Sequence, residues 1–192
     1  LGLIPVEGSL PLAAWFDTVG PLCRSVEDAA LLTGVMAAAP APDLTNPTLA
    51  GRRVLVDEAV MFSDAEEGPV AAFEAGLARL EAAGAEVVRA PIPELGEALA
   101  LSGPLVVGEA WAEWGETIEA KGEVMFHQIR RRFEAGRAVS AADYIRATRR
   151  MEALKASYLA RVAGFDAVAA PTCPILPPSV KRLMEDDDYY YE

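Results

Sequence analysis

Apolar side chains recur along this chain in two rhythms, and the rhythms alternate. Val26, Ala29, Ala30, Leu32, Thr33 and Met36 fall at helical spacing behind Ser25-Val26-Glu27-Asp28. In that Ser-x-x-acid pattern the hydroxyl satisfies an orphan backbone N–H, and the carboxylates sit at the positive end of the helix dipole. A helix with one buried face is expected there. Gly51 to Asp57 instead holds an unbroken apolar run, Val54-Leu55-Val56, as in a strand covered on both faces. Gly68-Pro69 opens a second helix with Val70, Phe73, Leu77 and Leu80 as its stripe and Gly84 at its C-terminal end. Glu86 to Arg89 is the next strand, closed by Pro91 and Pro93. Strand, helix, glycine cap and strand make a βαβ unit, whose crossover leaves the two strands parallel. The fold class that follows is α/β.

Beyond this unit the helical rhythm dominates. Leu95 to Gly122 reads as helix interrupted at Gly103-Pro104 and at Gly115, with Trp111, Trp114 and Ile118 inward and Glu109, Glu113, Glu116 and Glu119 outward. Val124 to Ala135 is the next helix, carrying Phe126, Ile129 and Phe133 on one face beside Arg130, Arg131 and Arg132. Ser140-Ala141-Ala142-Asp143 repeats the capping pattern and opens a helix through Val162. Tyr144, Thr148, Met151, Leu154 and Tyr158 line one side of it, and Arg146, Arg149, Arg150 and Arg161 the other. Phe165 to Thr172 is an apolar strand running into the proline-rich stretch Cys173 to Pro178. Leu1 to Ala14 and Ala37 to Leu49 carry too much proline for regular structure and read as loops.

Composition narrows the partners. The 192 residues are 52 % hydrophobic and 24 % charged, which suits a packed globular chain. A net charge of −12 argues against a nucleic-acid or anionic-membrane footprint. No apolar run approaches the roughly 20 residues that a membrane span needs. Two cysteines, Cys23 and Cys173, make no disulfide framework and fit a reducing, cytoplasmic setting.

Candidate chemistry is sparse. The glutamates from Glu109 to Glu119 have no interleaved histidine and read as a solvated face, so no metal and no cofactor is expected. His127, the one histidine, has no serine, cysteine or second histidine at a useful spacing. Cys173 has neither a nearby histidine nor a helix N-terminus to lower its pKa. The arginine triplet carries more. Three consecutive helical positions point in different directions, so at least one guanidinium must turn inward or pair with an acid.

Several strings in family order point to a resemblance. Phe16-Asp17-Thr18-Val19-Gly20-Pro21-Leu22 followed by Val26-Glu27-Asp28-Ala29-Ala30-Leu31-Leu32 closely resembles a segment of the amidase signature family. Ile4 to Ala13 resembles the stretch that precedes that turn, and Phe165 to Pro178 resembles the family's strand and Pro-Thr-x-Pro loop. Trp15-Phe16 and Cys23 depart from the usual Ser-Leu and Ala, at positions without a chemical role. The resemblance implies part of a three-layer α/β/α sandwich with a mixed, largely parallel sheet. It implies one partial amidase domain over 1–192: turn, capped helix and loop to 50, the βαβ unit at 51–94, a helical region at 95–163, strand and proline-rich loop at 164–180, and the start of a further segment at 181–192.

Such enzymes hydrolyse small-molecule amides with a serine nucleophile, a cis-serine and a lysine. The seven serines of this chain include no adjacent pair and none in a glycine-rich run, and Lys121, Lys155 and Lys181 lie in unrelated contexts. No catalytic residue is therefore assigned. The expectation is a piece from beyond the catalytic core, cut at both ends and inactive alone. Glutaminase subunits of the tRNA-dependent amidotransferases carry a comparable arginine stretch that holds the substrate carboxylate. By resemblance Arg131 or Arg132, before Gly136, takes that part, because a guanidinium can grip a carboxylate with two parallel bonds. An ion pair with a neighbouring glutamate is the structural alternative. Two other functions stay open: the glutaminase-type component of a tRNA-dependent amidotransferase, and a non-catalytic binding module. The protein partner would be a second copy or an amidotransferase partner subunit. Neither direct nucleic-acid binding nor a membrane is implied.

Overall fold

The computed structural model describes residues 2–45, 47–58, 60, 62–186 and 189. The acidic and tyrosine-rich end from Asp187 to Glu192 lies, apart from Tyr189, outside the described residues. Two compact units divide the chain: residues 1–47 with 103–144, and residues 48–102 with 145–192.

The second unit holds the sheet. Strand β1 (Arg53–Asp57) lies between β2 (Glu86–Ala90) and β3 (Ala167–Ala169), both parallel to it. Register pairs Val54 with Val87 on one side and with Ala167 on the other. Leu55 and Val56, on opposite faces of β1, are 2 % and 0 % exposed, so both faces are covered, as the unbroken apolar run predicts. Helix α1 (Val26–Met36) precedes β1, and helix α2 (Glu67–Ala82) is the crossover between β1 and β2, burying Leu77. Gly84 adopts φ +98° behind α2, the left-handed geometry that lets Ala85 N–H reach back to the Leu80 carbonyl.

Two carboxylates fix this sheet. Asp57, fully buried at the end of β1, accepts Val60 N–H at 2.8 Å on one oxygen and Ile92 N–H at 2.7 Å on the other. It thereby ties together the turns that leave β1 and β2. Asp166 accepts Arg53 N–H and Arg52 Nη1 at 2.8 Å each, clipping the start of β3 to the start of β1. The bond from Arg53 N–H, then that from Arg52, holds the Asp166 carboxyl below its ordinary value.

Helix α3 (Pro93–Lys121) runs unbroken, where a break at Gly103-Pro104 and at Gly115 is expected. Pro104 removes one backbone bond, but Leu105 beside it is fully buried and Ala110 nearly so, and packing outweighs that local cost. A short 3₁₀ turn (Gly122–Val124) leads to α4 (His127–Glu134), and a second (Ala135–Ala138) to α5 (Ala141–Val162). Ser140 Oγ accepts Asp143 N–H at 3.1 Å at the start of α5, as the pattern predicts. Leu154 is buried, and Arg146, Arg149 and Arg150 are exposed. The last described element is α6 (Val180–Glu185), started by Ser179.

Helix α1 departs from expectation. Ser25 caps it through Asp28 N–H at 3.1 Å, yet its apolar face is only partly covered: Ala29, Ala30, Thr33 and Met36 are half-buried, while Val26 is 69 % and Leu32 44 % exposed. Capping and propensity act within the segment, whereas burial needs an opposing surface, and the described residues cover this one only in part.

Candidate functional site

The predicted substrate-facing arginines lie on α4 in the first unit, and the triplet divides as its helical geometry requires. Arg130 turns inward. Its Nη1 donates to the Gly122 carbonyl at 3.4 Å, and its Nε stands 3.7 Å from Glu134 one turn on. Arg131 and Arg132 are exposed in the last turn of α4, at the negative end of its dipole. The Arg132 side chain makes no hydrogen bond or ion pair with any described residue.

Contacts with α3 hold this helix. Gly136 packs so tightly against α3 that a Cβ there would overlap the Val107 carbonyl oxygen and stand 2.5 Å from Trp111 Cβ. The Trp111 indole lies in turn over Gly115, where a Cβ would meet ring carbons at 2.9–3.2 Å. Gly115, read from the sequence as an interruption, thus makes room for the ring. On the indole sits Arg137, its guanidinium carbon 4.4 Å from the ring centre and its Nη2 3.0 Å from Glu119 Oε1.

The same helix carries the N-terminal loop. Glu109, expected to face solvent, is half-buried: it accepts Trp15 N–H at 3.1 Å and the Tyr144 hydroxyl at 2.5 Å. Trp114 Nε1 donates to the Pro11 carbonyl at 2.7 Å. Asp17 closes the loop on itself by accepting Leu12 and Ala13 N–H groups at 2.9 and 3.1 Å. Periodicity hides Glu109, because its partners lie at distant positions in the sequence.

The serines are committed elsewhere. Ser25, Ser140 and Ser179 cap helices. Ser9 and Ser102 bond carbonyls three residues back, and Ser157 donates to Glu94 at 2.6 Å. None of these six faces a lysine or another serine in the bonds it makes. Cys23 and Cys173 are exposed thiols, and His127 stacks edge-on against Phe126. Among the described residues no group of three His, Cys, Asp or Glu side chains could hold a metal ion. No described helix is long and apolar enough to cross a membrane. An apolar groove of about 570 Å³ along α2, lined by Leu49, Phe73, Leu77, Leu80 and Ala169, has Arg79 as the one charged side chain in its lining.

A buried charge lies outside this region. Glu94, at the start of α3, is 7 % exposed, and Arg161 of α5 forks onto both its oxygens at 2.9 Å. Those bonds, joined by the one from Ser157, hold its carboxyl down to about 2. Both partners are locked in this pair, so its part is structural.

The sequence profile of the Amidase family matches residues 1–191. The chain belongs to the amidase family. Among amidase-family relatives, 2-amino-5-chloromuconic acid deaminase of Comamonas testosteroni is 32 % identical over 98 % of this chain and 42 % of its own length. A glutamyl-tRNA(Gln) amidotransferase subunit from Thermotoga maritima is 25 % identical, over 98 % of this chain and 47 % of its own. A crystal structure of an amidase superposes with a TM-score of 0.84 at 29 % identity, over 93 % of this chain and 40 % of that one. This amidase chain therefore spans less than half the length of these relatives, and the α/β fold is shared with them.

Proposed function

We propose that the protein hydrolyses the amide bond of a small molecule that also carries a carboxylate. These 192 residues supply scaffold and a substrate-facing guanidinium rather than the nucleophile. The observation that carries the reading is Arg132, an exposed guanidinium without an acid partner among the described residues, on a helix pinned at both ends. Arg131 lies next to it and is equally exposed. Arg130 is occupied by Gly122 and Glu134 and serves the fold. A free, planar, permanently charged fork on a fixed support suits a carboxylate held by two bonds. The relatives' names supply chemistry of that kind: one acts on a muconic acid, and the other belongs to a glutamyl-tRNA(Gln) amidotransferase.

With no adjacent serines in the sequence, the serine–cis-serine pair of the resemblance is assigned to no residue here. The two unbridged, exposed thiols suit a reducing compartment such as the cytoplasm.

The test compares two amides of equal length, succinamate with its carboxylate and butyramide without one. In the protein expressed from its own gene, Arg132→Ala is expected to raise KM for succinamate by about tenfold or more, since both charge-assisted bonds are lost, and to leave butyramide unaffected. Equal effects on both amides would sink the grip.

A further inference from the structure

We infer that Arg137 is a positioning residue, which sets where α4 presents Arg132 to an anionic substrate. The inference rests on the carboxylate grip proposed above. Helix α4 is short, eight residues, and its N-cap residue, Phe126, makes no side-chain capping bond. Its place therefore depends on what holds its two ends. At the start, Arg130 reaches the Gly122 carbonyl. At the end, the 3₁₀ turn that follows is seated by Gly136 on the Val107 carbonyl and locked by Arg137.

Arg137 does this with both properties of its side chain. The planar guanidinium lies over Trp111, whose ring is itself held flat by Gly115, while Nη2 reaches Glu119. Gly115, Trp111 and Arg137 thus form a stack across α3, and Glu119 fixes the rotation of the top layer. A lysine would keep the charge but lose the stack and the fork. The side chain is half exposed, so the ion pair adds little to overall stability. That separates the two roles that Arg137 could have. A brace for the fold would show in melting. A brace for the grip would show only where two-bond recognition is sensitive to displacements below an ångström.

The experiment measures KM and kcat for succinamate and butyramide in the wild-type protein and in Arg132→Ala, Arg137→Ala and Arg137→Lys, with melting temperature as control. Arg137→Ala is expected to raise KM for succinamate about fivefold, with kcat, butyramide kinetics and melting temperature unchanged. Arg137→Lys should recover part of that loss. If Arg132→Ala abolishes the preference for succinamate and Arg137→Ala keeps it, Arg137 does not position the grip, and the grip itself stands. Equal loss on both amides, or a fall in melting temperature that tracks the kinetic loss, makes Arg137 a brace of the fold and overturns the inference. A wild type without preference, or an Arg132→Ala variant that retains it, overturns the grip and this inference with it.

Discussion

Asp57 shows how much one side chain organises. Its carboxylate takes two backbone N–H groups from two different turns, one of them on the fully buried Ile92, at the end of the central strand. Asp57→Ala leaves both donors without a partner, and each unsatisfied donor costs about 1–3 kcal/mol. A loss of about 2–6 kcal/mol in urea unfolding is expected; a loss within experimental error would show that water satisfies both donors. From the sequence Asp57 is an acid closing an apolar run, and nothing near it names Ile92. The arginine triplet was more legible. Geometry alone required that one of the three turn inward or find an acid, and Arg130 does. Which of the three does so depends on Gly122, eight residues away, which the helical pattern does not mark.

At the scale of elements, sequence rhythm and structure agree on the βαβ unit, on Ser25 and Ser140 as helix caps and on the two faces of α5. They part at α3 and α1. In α3 two local breakers were outweighed by burial on neighbouring turns, and Gly115 proved to be a seat for Trp111. In α1 the helix formed with its predicted face only partly covered. The contact between Gly136 and α3 gives the sharpest test at this scale. A methyl group there has backbone rather than a flexible side chain to displace, so Gly136→Ala is expected to cost about 3 kcal/mol. Thermal melting checks it: an unchanged melting temperature would mean that the turn moves away freely. Gly103, with open space around it, serves as control and should tolerate alanine.

For the molecule as a whole, acid stability gathers the buried and clipped carboxylates into one observable. Glu94 titrates near 4.5 when free and near 2 in the folded chain. Its contribution is therefore complete above about pH 4.5 and is lost as pH falls toward 2. Asp166, lowered by the bonds from Arg53 and Arg52, acts in the same direction. Melting temperature measured from pH 7 to pH 2 should fall steeply below 4.5 in the wild type and less steeply in Glu94→Gln; parallel curves would deny Glu94 that part. What depends on neighbours along the chain was legible in one dimension: helix caps, the parallel crossover, the strand buried on both faces and the strings that mark the amidase family. Local hydrogen bonds and side-chain periodicity act over a few residues, so their outcome is written in short spacings. Tertiary packing alone fastened Asp57, Glu94 and Glu109 to distant partners, laid Trp111 on Gly115 beneath Arg137, and left Arg132 open. Those outcomes depend on which surfaces meet, and the spacing of residues along the chain does not encode that.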